Sequence, residues 1–494
     1  MKPSLKVLYV TSEIYPYSKT GGLADVSASL PKALSAADVE ITVITPYYRS
    51  VKENFLGLKT HTKILKIPFK GTIFPAVVFQ EKTNPHLHMY FIQCDEFFDR
   101  SGLYGTAQGD YSDNAERFSY FSLAVLEFCR TFSLKPHIIH CNDWQTGLIP
   151  TYLKKLYGLN RDPIFRRTKT IFTIHNMAYQ GIFPAEVMSY ASIPRELFSL
   201  QGLEFYGKIN LLKGGLVFAD RLTTVSPKYA EEIQTPEFGH GLEGVLKERK
   251  KDLYGILNGV DYTVWNPEND PHIAAQYSSG DITGKTICKQ ALIKKLKLQG
   301  SADTPLLSMI SRLAEQKGID LLTRIVPDLI DSGCLLVVLG SGDKRLENKL
   351  LNLARQHKKQ FYVRIGFDNS LAHEIEAGSD IFLMPSRYEP CGLNQLYSLK
   401  YGTIPLVRAI GGLNDSIQEF DPRKQTGNGF KFDDFSTKAF LTKIKKALKY
   451  YAKKNIWNQL IKNAMSENFS WEHSARLYLE LYTSLAWTIH KKSR

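Results

Sequence analysis

The chain has 494 residues, of which 43% are hydrophobic and 23% are charged, and 63 Lys and Arg against 49 Asp and Glu give a net charge of +14. These are globular fractions, which exclude a disordered, collagen-like or coiled-coil chain. A chain of this length predicts two domains, each with its own core. No apolar run approaches the ~18 residues of a membrane span, and the N-terminal apolar run is too short for a signal peptide. Six scattered cysteines without a C-x-x-C pair favour the reducing cytoplasm over a disulfide framework or a zinc site.

The first half of the chain alternates between strand-like and helix-like segments. Apolar runs rich in β-branched and aromatic residues predict strands at 5–12, 39–46, 137–140, 168–175 and 221–226. Apolar residues at helical spacing follow the first strand, from Leu23 to Leu34. Strands that alternate with helices predict a parallel sheet covered by helices on both faces.

The second half repeats this alternation. Strand-like runs lie at 306–311, 334–340, 361–366, 380–385 and 404–409, and helical patterns separate them. The sequence GGLAD at 21–25 also recurs as GGLND at 411–415. We therefore expect two similar, doubly wound α/β domains that join near residues 258–261, with the linker and the entry to the second domain in 262–305.

Positive charge is concentrated late in the chain. Residues 438–462 contain eight Lys and no Asp or Glu, and the stretch includes apolar residues at helical spacing, among them Phe440, Ile444 and Ala447. This pattern predicts one amphipathic helix with a solvated basic face. A site for a polyanion is the alternative. We favour the solvated face and expect no nucleic-acid partner.

A Gly-Gly pair closes the loop after the first strand. The glycines of Lys19-Thr20-Gly21-Gly22 allow the backbone to approach a ligand closely. A helix that begins near Leu23 would direct its free N–H groups and positive dipole end toward that ligand. Together with the charge of Lys19, this arrangement suits a phosphate or a polyhydroxyl group, and a simple tight turn is the alternative. The spacing matches neither a dinucleotide-binding fingerprint nor a P-loop.

Two cations follow the first strand of the second domain. Arg312 ends that strand, and Lys317 comes five residues later, just before a helical pattern. Ligands of open α/β sheets bind at the carboxyl ends of the strands. A planar guanidinium and a point-charge ammonium suit a diphosphate, and they would stabilise the charge of a departing one. A solvated surface loop is the alternative.

A third loop, EPCGLN at 389–394, follows the strand at 380–385. Gly392 allows close approach of the backbone, and a helix is expected to begin near Leu393. Glu389 is a lone carboxylate beside this helix start. It suits the stabilisation of positive charge on a reacting sugar or the binding of sugar hydroxyls, and a helix-capping carboxylate is the alternative.

Two strand ends of the first domain carry polar side chains. His175 ends the strand at 168–175, and Asp143 and Trp144 follow the strand at 137–140. Asp143 suits hydrogen bonds from sugar hydroxyls, and Trp144 can stack on a sugar or pack in the core. A purely structural histidine is the alternative for His175. The chain contains no G-x-S-x-G, H-E-x-x-H or EF-hand sequence, and no spacing selects the paired carboxylates of a glycosidase.

These segments together resemble one family. They are KTGGLAD at 19–25, NDW at 142–144, TIHNMAYQG at 173–181, NGVD at 258–261, Arg312 with Lys317, PSRYEPCGL at 385–393 and GGLND at 411–415. In this order, and over residues 5–485, they resemble the bacterial glycogen synthases and the related plant starch synthases. The resemblance implies a GT-B fold, in which two Rossmann-like, doubly wound domains face a deep cleft.

The resemblance also implies a reaction. It is the retaining transfer of glucose from ADP-glucose to the non-reducing end of an α-1,4-glucan such as glycogen, with release of ADP and with no metal or cofactor. The implied domains are an N-terminal, acceptor-side catalytic domain at 1–257, a nucleotide-sugar-binding domain at 262–468, and a helix within 469–494 that crosses back to the first domain. No nucleic acid or membrane partner is implied, and the oligomeric state stays open.

Other functions remain alternatives at this point. A nucleotide-sugar epimerase of the same fold would act on the donor alone, and a related α-glucan synthase would use UDP-glucose. A non-catalytic glucan-binding protein is disfavoured because the charged site residues are all present. A phosphorylase is disfavoured because the chain lacks the motif that surrounds a pyridoxal-phosphate lysine.

Residue roles follow from the same resemblance. Arg312 and Lys317 match the pair that binds the diphosphate, with Lys19 nearby. Glu389 matches the proposed catalytic carboxylate, and His175 matches the histidine that contacts the donor glucose. Because no second carboxylate is evident, Glu389 is expected to act as an electrostatic stabiliser in a front-face reaction. The other implied substrate-binding residues are Gly21, Gly22, Asp25, Asp143, Asn258, Phe367, Cys391, Gly392, Leu393 and Asn394.

Several positions depart from the pattern of the family. Phe367 stands where the aromatic residue that stacks on adenine is often Tyr. Asn394 and Ile410 each stand where many relatives carry Thr near the phosphates. Asn142, two residues after His140, stands where a second His is common in the family. None of these changes removes a charged catalytic group, so activity is still expected.

Overall fold

The computed structural model describes residues 5–157 and 162–487. The chain divides into two compact units. The first comprises Met1–Val225, Ala230–Gly259 and Trp471–Arg494, and the second comprises Ser226–Tyr229 and Val260–Ser470. Each unit contains its own twisted sheet with helices packed against it, as expected for alternating strands and helices.

The sheet of the first unit has ten strands. From one edge to the other they are Leu253–Gly255, Arg221–Thr224, Lys169–Ile174, Ile138–Asn142, Lys6–Val10, Glu40–Pro46, Leu87–Gln93, Thr72–Asn84 and Lys59–Thr60, with Leu65–Phe69 paired to Thr72–Asn84. Pairing is parallel as far as Leu87–Gln93. These central strands are covered on both faces, which is why they are continuous apolar runs.

The antiparallel edge of this sheet was not expected from the sequence. Leu65–Phe69 and Thr72–Asn84 form a hairpin whose two-residue turn places Lys70 at φ 52° and Gly71 at φ 73°. Two positive φ values are the geometry that matches the right-handed twist of paired strands. Burial alternates strictly along Leu65–Phe69, so this edge has one packed face and one solvated face.

Helices and short sheets complete the first unit. Its helices include Gly22–Ala36, Arg49–Asn54, Asp95–Phe98, Asn114–Thr131, Leu148–Tyr152, Val187–Tyr190, Leu211–Phe218, Pro236–Gly239, Glu243–Glu248 and Trp471–Trp487, with single turns or irregular helix at Trp144–Thr146, Leu153–Tyr157, Arg195–Leu197 and Lys250–Asp252. Ile182–Phe183, Lys208–Asn210 and Glu204–Phe205 form a small sheet, and Gly105–Thr106 pairs with Gly109–Asp110. The helix Pro227–Glu232 contains residues of both units.

The last helix, Trp471–Trp487, packs against Gly22–Ala36 within the first unit. Tyr478 and Tyr482 on this helix are fully buried. Leu23, Val26, Leu30 and Leu34 form the buried stripe of the partner helix, and this spacing is the one that creates an apolar face on a helix. The helix Trp471–Trp487 is therefore part of the core of the first unit.

The sheet of the second unit has six strands, all parallel. Their order is Phe361–Ile365, Leu335–Gly340, Leu306–Ile310, Ile381–Met384, Ile404–Arg408 and Phe430–Phe432. The helices are Thr283–Lys295, Ile319–Asp331, Lys344–Gln356, Asn369–Gly378, Asn394–Lys400, Gly411–Ser416, Thr437–Tyr451 and Lys454–Ser466, with a single turn at Glu315–Lys317. Every strand predicted from the sequence in either half is confirmed to within two residues.

The prediction of one solvated basic helix over 438–462 is wrong in two respects. The stretch forms two helices, because the chain bends between Tyr451 and Lys454. The basic face is also partly paired, since the Nζ atoms of Lys443 and Lys446 each lie 2.8 Å from Oε1 of Glu419. Part of this charge is therefore neutralised within the unit.

All six cysteines are free thiols. In the part of the chain that the structure describes, no helix is both long enough and apolar enough to cross a membrane.

Candidate functional site

Each sheet has a point at which the order of its strands reverses. In the first unit this point lies between Lys6–Val10 and Ile138–Asn142, and in the second unit it lies between Leu306–Ile310 and Ile381–Met384. The loops that leave the carboxyl ends of two such strands diverge and leave a crevice, where open α/β sheets bind their ligands. Most of the predicted site residues lie on the loops that follow these four strands.

In the second unit, Lys317 and Glu389 form a close ion pair. Nζ of Lys317 lies 2.9 Å from Oε1 and 2.7 Å from Oε2 of Glu389. Only 18% of the lysine side chain and 6% of the glutamate side chain are exposed. The pair brings together two residues that the sequence placed on separate loops, and it puts an ammonium and a carboxylate at the switch point of this sheet.

Close backbone contacts hold the loop of Glu389 in place. Its carboxylate accepts a hydrogen bond from the hydroxyl of Ser386 at 3.0 Å, and its carbonyl accepts one from the amide of Gly412 at 3.1 Å. Gly411 has a φ of 45°, and a Cβ there would lie 2.0 Å from that same carbonyl oxygen. Only glycine tolerates both conditions. The second Gly-Gly motif therefore fixes the position of Glu389.

Gln316 joins the two loops of the second unit, and the sequence analysis did not identify it. Its side-chain oxygen accepts a hydrogen bond from Nη2 of Arg312 at 3.3 Å. Its backbone carbonyl accepts one from the amide of Arg387 at 2.8 Å, and its Nε2 donates to the carbonyl of Tyr388. The only indication of a role for Gln316 in the sequence was its position between the predicted site residues Arg312 and Lys317.

The residues after Glu389 turn sharply into the helix Asn394–Lys400, whose first flanking residue is Leu393. Gly392 makes this turn with a φ of 72°, and Nε2 of Gln395 donates to the carbonyl of Cys391 at 3.0 Å. Nδ2 of Asn394 donates to the carbonyl of Ile310 at 2.6 Å. Asn394 thus ties this turn to the strand that precedes Arg312.

Phe367 follows the strand Phe361–Ile365 in the same unit. Its side chain is 85% exposed, and it comes after Gly366, which has a φ of 127°. Single exposed aromatic residues are common at protein surfaces, so the exposure shows that the ring face is accessible and does not by itself show a use. The ring is therefore available for stacking at the carboxyl edge of this sheet.

In the first unit, Glu13 holds the Gly-Gly loop, and the sequence analysis missed this residue. Its carboxylate is 4% exposed and accepts hydrogen bonds from the amide and hydroxyl of Thr20, both at 2.6 Å. It also accepts from the amide of Gly21 at 3.2 Å and from the hydroxyl of Tyr104 at 2.8 Å. Both amides precede the helix Gly22–Ala36, and Glu13 occupies them, so they are not among the free N–H groups expected at the start of that helix.

Lys19 pairs with Asp25 at the start of the helix Gly22–Ala36. Nζ of Lys19 lies 2.7 Å from Oδ1 of Asp25, and the two side chains are 38% and 30% exposed. Burial raises the pKa of Asp25, and the charge of Lys19 opposes that rise. Both residues were predicted to bind substrate, and the structure places them in contact with each other.

Asp143 adopts a backbone conformation that favours glycine, with φ at 55° and ψ at −179°. Its Oδ1 accepts a hydrogen bond from the amide of His175 at 2.7 Å, which ties the ends of two neighbouring strands together. Such strained residues cluster at functional sites. Burial raises the pKa of Asp143 to about 7; the charge of Glu13 acts in the same direction, whereas backbone N–H groups of His175 and Asn176 oppose it.

His175 lies in the same cluster. Its Nε2 is 2.9 Å from Oδ1 of Asn142, and burial lowers the pKa of His175 to about 3. The imidazole is therefore neutral at physiological pH.

Asn258, also in the first unit, is 6% exposed, and the described residues provide no hydrogen-bond partner for its Oδ1. An unpaired buried oxygen of this kind is costly unless a ligand satisfies it.

The first unit also contains a cavity of about 410 Å³. Its lining includes Trp144, Tyr179, Gln180 and His240. Gly181 is required here, because its φ is 62° and a Cβ would lie 2.4 Å from the ring of Trp144. Aromatic faces with a few polar groups around them are the surface on which a sugar chain packs.

The raised pKa of Asp143 predicts a stability cost that depends on pH. An aspartate in an unfolded chain titrates near pH 4. Between about pH 4 and pH 7 the folded protein therefore binds the proton more tightly, and the free energy of unfolding falls as the pH rises through that window. We expect Asp143→Asn, which keeps an oxygen for the amide of His175, to be more stable than the wild type by about 2–4 kcal/mol above pH 7.

Denaturant unfolding at several pH values measures this effect. The gain should shrink as the pH falls from 7 toward 4, and Asp110→Asn, a change at an exposed carboxylate of the same unit, should show no comparable dependence. A gain that is equal at all pH values would contradict the pKa assignment. The more stable variant is expected to lose activity if Asp143 contacts substrate.

Known proteins are similar to this chain over nearly its whole length. Residues 6–248 match the family model described as the starch synthase catalytic domain, and residues 293–466 match the glycosyl transferases group 1 model. A glycogen synthase from Koribacter versatilis is 47% identical, with 97% of this chain and 98% of that protein covered. A glycogen synthase from Anaeromyxobacter sp. is 45% identical, with 98% of this chain and all of that protein covered.

Solved structures show the same similarity. The catalytic domain of starch synthase IV from Arabidopsis thaliana, bound to ADP and acarbose, has a TM-score of 0.89 and 34% identity, and 98% of this chain and 99% of that chain are covered. A sucrose-phosphate synthase from Thermosynechococcus elongatus has a TM-score of 0.61 at 16% identity, with 97% of this chain and 99% of that chain covered. At that identity the second likeness concerns the fold alone. Each unit has the Rossmann-like form of the GT-B fold.

Proposed function

Because the chain belongs to the glycogen synthase and starch synthase family of glycosyltransferases, we propose that it elongates an α-1,4-glucan with glucose from ADP-glucose. Glucose is transferred to the non-reducing end of the glucan with retention at the anomeric carbon, and ADP is released. The observation that carries this proposal is the part-buried pair of Lys317 and Glu389 at the switch point of the second sheet.

The second unit is assigned to the donor nucleotide. Arg312 and Lys317 supply the positive charge that a diphosphate needs, the guanidinium through paired N–H groups and the ammonium as a point charge. The exposed ring of Phe367 offers a stacking face for the base, and a purine covers such a face more fully than a pyrimidine. These features support ADP-glucose over UDP-glucose.

The first unit is assigned to the sugars. His175 and Asn258 offer hydrogen-bonding atoms to the donor glucose, and the buried oxygen of Asn258 gains its missing partner from a sugar hydroxyl. The acceptor glucan is assigned to the cavity beside Trp144 and Tyr179, where sugar rings can pack on aromatic faces. Glycogen chains are neutral, so this site requires no cluster of cations.

The reaction follows from these assignments. The bond from C1 of glucose to the diphosphate breaks while the 4-hydroxyl oxygen of the acceptor bonds to the same face of C1. The hydroxyl proton passes to the departing phosphate oxygen, and the stereochemistry at C1 is retained. Lys317 and Arg312 stabilise the leaving diphosphate, and the carboxylate of Glu389 stabilises positive charge on the sugar. The chain's six free thiols favour a reducing compartment such as the cytoplasm.

The test is a donor-competition assay with maltoheptaose as the acceptor. ADP-glucose and UDP-glucose are supplied together at equal concentration, each with a different isotope in its glucose. We expect chains longer by whole glucose units, one ADP released for each glucose added, and label mainly from ADP-glucose. If the label comes mainly from UDP-glucose, the donor is UDP-glucose and the proposed donor is wrong. Consumption of the donor without longer chains would indicate an epimerase and contradict the proposal.

A further inference from the structure

Asn142 lies between the first strand and His175. It ends the strand Ile138–Asn142 and is fully buried. Its Nδ2 donates to the carbonyl of Val10 at 2.9 Å. Its Oδ1 lies 3.2 Å from the hydroxyl of Tyr9 and 2.9 Å from Nε2 of His175. One side chain thus connects the start of the Gly-Gly loop with a predicted catalytic residue.

The partner on the first strand fixes the orientation of the Asn142 amide. The carbonyl of Val10 can only accept a hydrogen bond, so the group that faces it must be the NH₂ of Asn142. The oxygen of Asn142 therefore faces Tyr9 and His175. An amide oxygen cannot donate, so both neighbours must donate to it. Nε2 of His175 carries a proton for this reason.

The opposite nitrogen of His175 is then an acceptor. Burial lowers the pKa of His175 to about 3, so the ring is neutral and Nδ1 keeps its lone pair. Within the described residues, His175 makes its side-chain hydrogen bond through Nε2. Nδ1 is the ring atom that remains for a substrate.

Asn142 is itself held rigidly. Tyr9 is fully buried, and its ring packs edge-on against His140 at a centroid distance of 4.9 Å. Nδ1 of His140 contacts the hydroxyl of Tyr482 at 2.6 Å, and its Nε2 contacts the hydroxyl of Thr173 at 2.5 Å. Thr173 lies on the strand that leads to His175. The network leaves Asn142 no alternative arrangement at low cost.

We propose that Asn142 is a positioning residue that fixes His175 as the Nε2–H tautomer, so that Nδ1 accepts a hydrogen bond from a hydroxyl of the donor sugar. A histidine at position 142 would be able to donate or accept and would leave the tautomer of its neighbour open. Asparagine oriented by Val10 offers only an acceptor. The part of this proposal that concerns the sugar rests on the proposed function, and the part that concerns the tautomer does not.

The tautomer is measured directly by long-range ¹H–¹⁵N correlation NMR on the full chain labelled with ¹⁵N-histidine, and His175→Ala identifies the signal. We expect the wild type to show a protonated Nε2 and a bare Nδ1. His137 serves as the internal reference, because its Nδ1 accepts the amide of Lys6 at 3.0 Å and its tautomer is set independently of Asn142. A proton on Nδ1 of His175 and not on Nε2 would overturn the proposal before any variant is made.

Two substitutions test the cause. Asn142→Leu removes the hydrogen-bond acceptor and keeps a similar side-chain volume. In this variant we expect a mixed or inverted tautomer at His175 and an unchanged signal from His137. We also expect kcat to be about tenfold lower, with an unchanged KM for the glucan. Asn142→Asp keeps an oxygen acceptor facing His175, so the proton should stay on Nε2 of His175. The NMR spectrum of this second variant can be measured even if the leucine variant does not fold. An unchanged tautomer in a folded Asn142→Leu would overturn the proposal. Absence of glucosyl transfer by the wild type would instead contradict the proposed function and leave the tautomer result standing.

Discussion

Replacement of Lys317 by alanine is expected to lower kcat/KM for glucosyl transfer roughly 30- to 900-fold. This corresponds to a loss of about 2–4 kcal/mol of transition-state stabilisation. The leaving diphosphate gains negative charge as its bond to glucose breaks. An ammonium that is only 18% exposed interacts with that charge more strongly than a solvated one does. The loss should therefore lie mainly in kcat, and steady-state kinetics with ADP-glucose varied at saturating glucan measures it.

A control variant separates this effect from a general loss of positive charge. Lys344 also forms an ion pair within the second unit, but its side chain is 84% exposed, so Lys344→Ala should leave the kinetics unchanged. Lys317→Ala also removes an ammonium from the buried carboxylate of Glu389, so its unfolding free energy should fall by about 1–3 kcal/mol. If a folded Lys317→Ala has wild-type kcat/KM, Lys317 has no part in the reaction.

Replacement of Glu389 by glutamine is expected to reduce kcat by about 100- to 1,000-fold, with little change in KM for ADP-glucose. Glutamine keeps the shape of the side chain and a partner for the hydroxyl of Ser386, but it removes the negative charge. If that charge stabilises a positive sugar in the transition state, its loss affects the chemical step more than binding. Single-turnover measurements with bound donor isolate that step.

Glu315→Gln is the matched control for Glu389→Gln. Glu315 lies on the Arg312–Lys317 loop, where its exposed carboxylate pairs with Arg345, and its loss should leave kcat unchanged. A kcat of Glu389→Gln close to the wild-type value would remove the carboxylate from the mechanism. Glu389 could act as an electrostatic stabiliser or as a nucleophile, and mass spectrometry of quenched wild-type reactions distinguishes these roles. A glucosyl group found on Glu389 would show a nucleophile and contradict the electrostatic role. The double variant with Lys317→Ala should show a non-additive loss, since the two side chains are in direct contact.

Much of the fold was predictable because its signal is local. Continuous apolar runs such as Val7–Val10 must be buried on both faces, and that requirement identifies a central parallel strand without tertiary information. The antiparallel edge at 59–84 was missed, because Pro68 and Pro75 lie within its two longer strands and proline disfavours a strand. The division of 438–462 into two helices was missed, since lysines and apolar residues occur on both sides of the bend and no Pro or Gly marks it.

The site was predictable residue by residue but not as an arrangement. Lys317 and Glu389 stand out in the sequence because they follow strands, yet their pairing joins positions 72 residues apart. Glu13 and Gln316 carry no motif of their own, and only the folded backbone shows that Glu13 occupies the amides of Thr20 and Gly21. The role of Asn142 depends on which groups lie beside its amide, and the register of the neighbouring strands determines those neighbours.

The helix Trp471–Trp487 has a consequence for how the protein is made. The hydroxyl of Tyr482 reaches His140 across 342 residues of sequence, and the helix packs on Gly22–Ala36. During synthesis the second unit leaves the ribosome before this helix does. The residues around His140 therefore remain without their final partner until the helix Trp471–Trp487 has been synthesised. The unit whose synthesis begins first therefore receives one of its helices last, and a nascent chain stopped at Ser470 would lack the helix that packs on Gly22–Ala36.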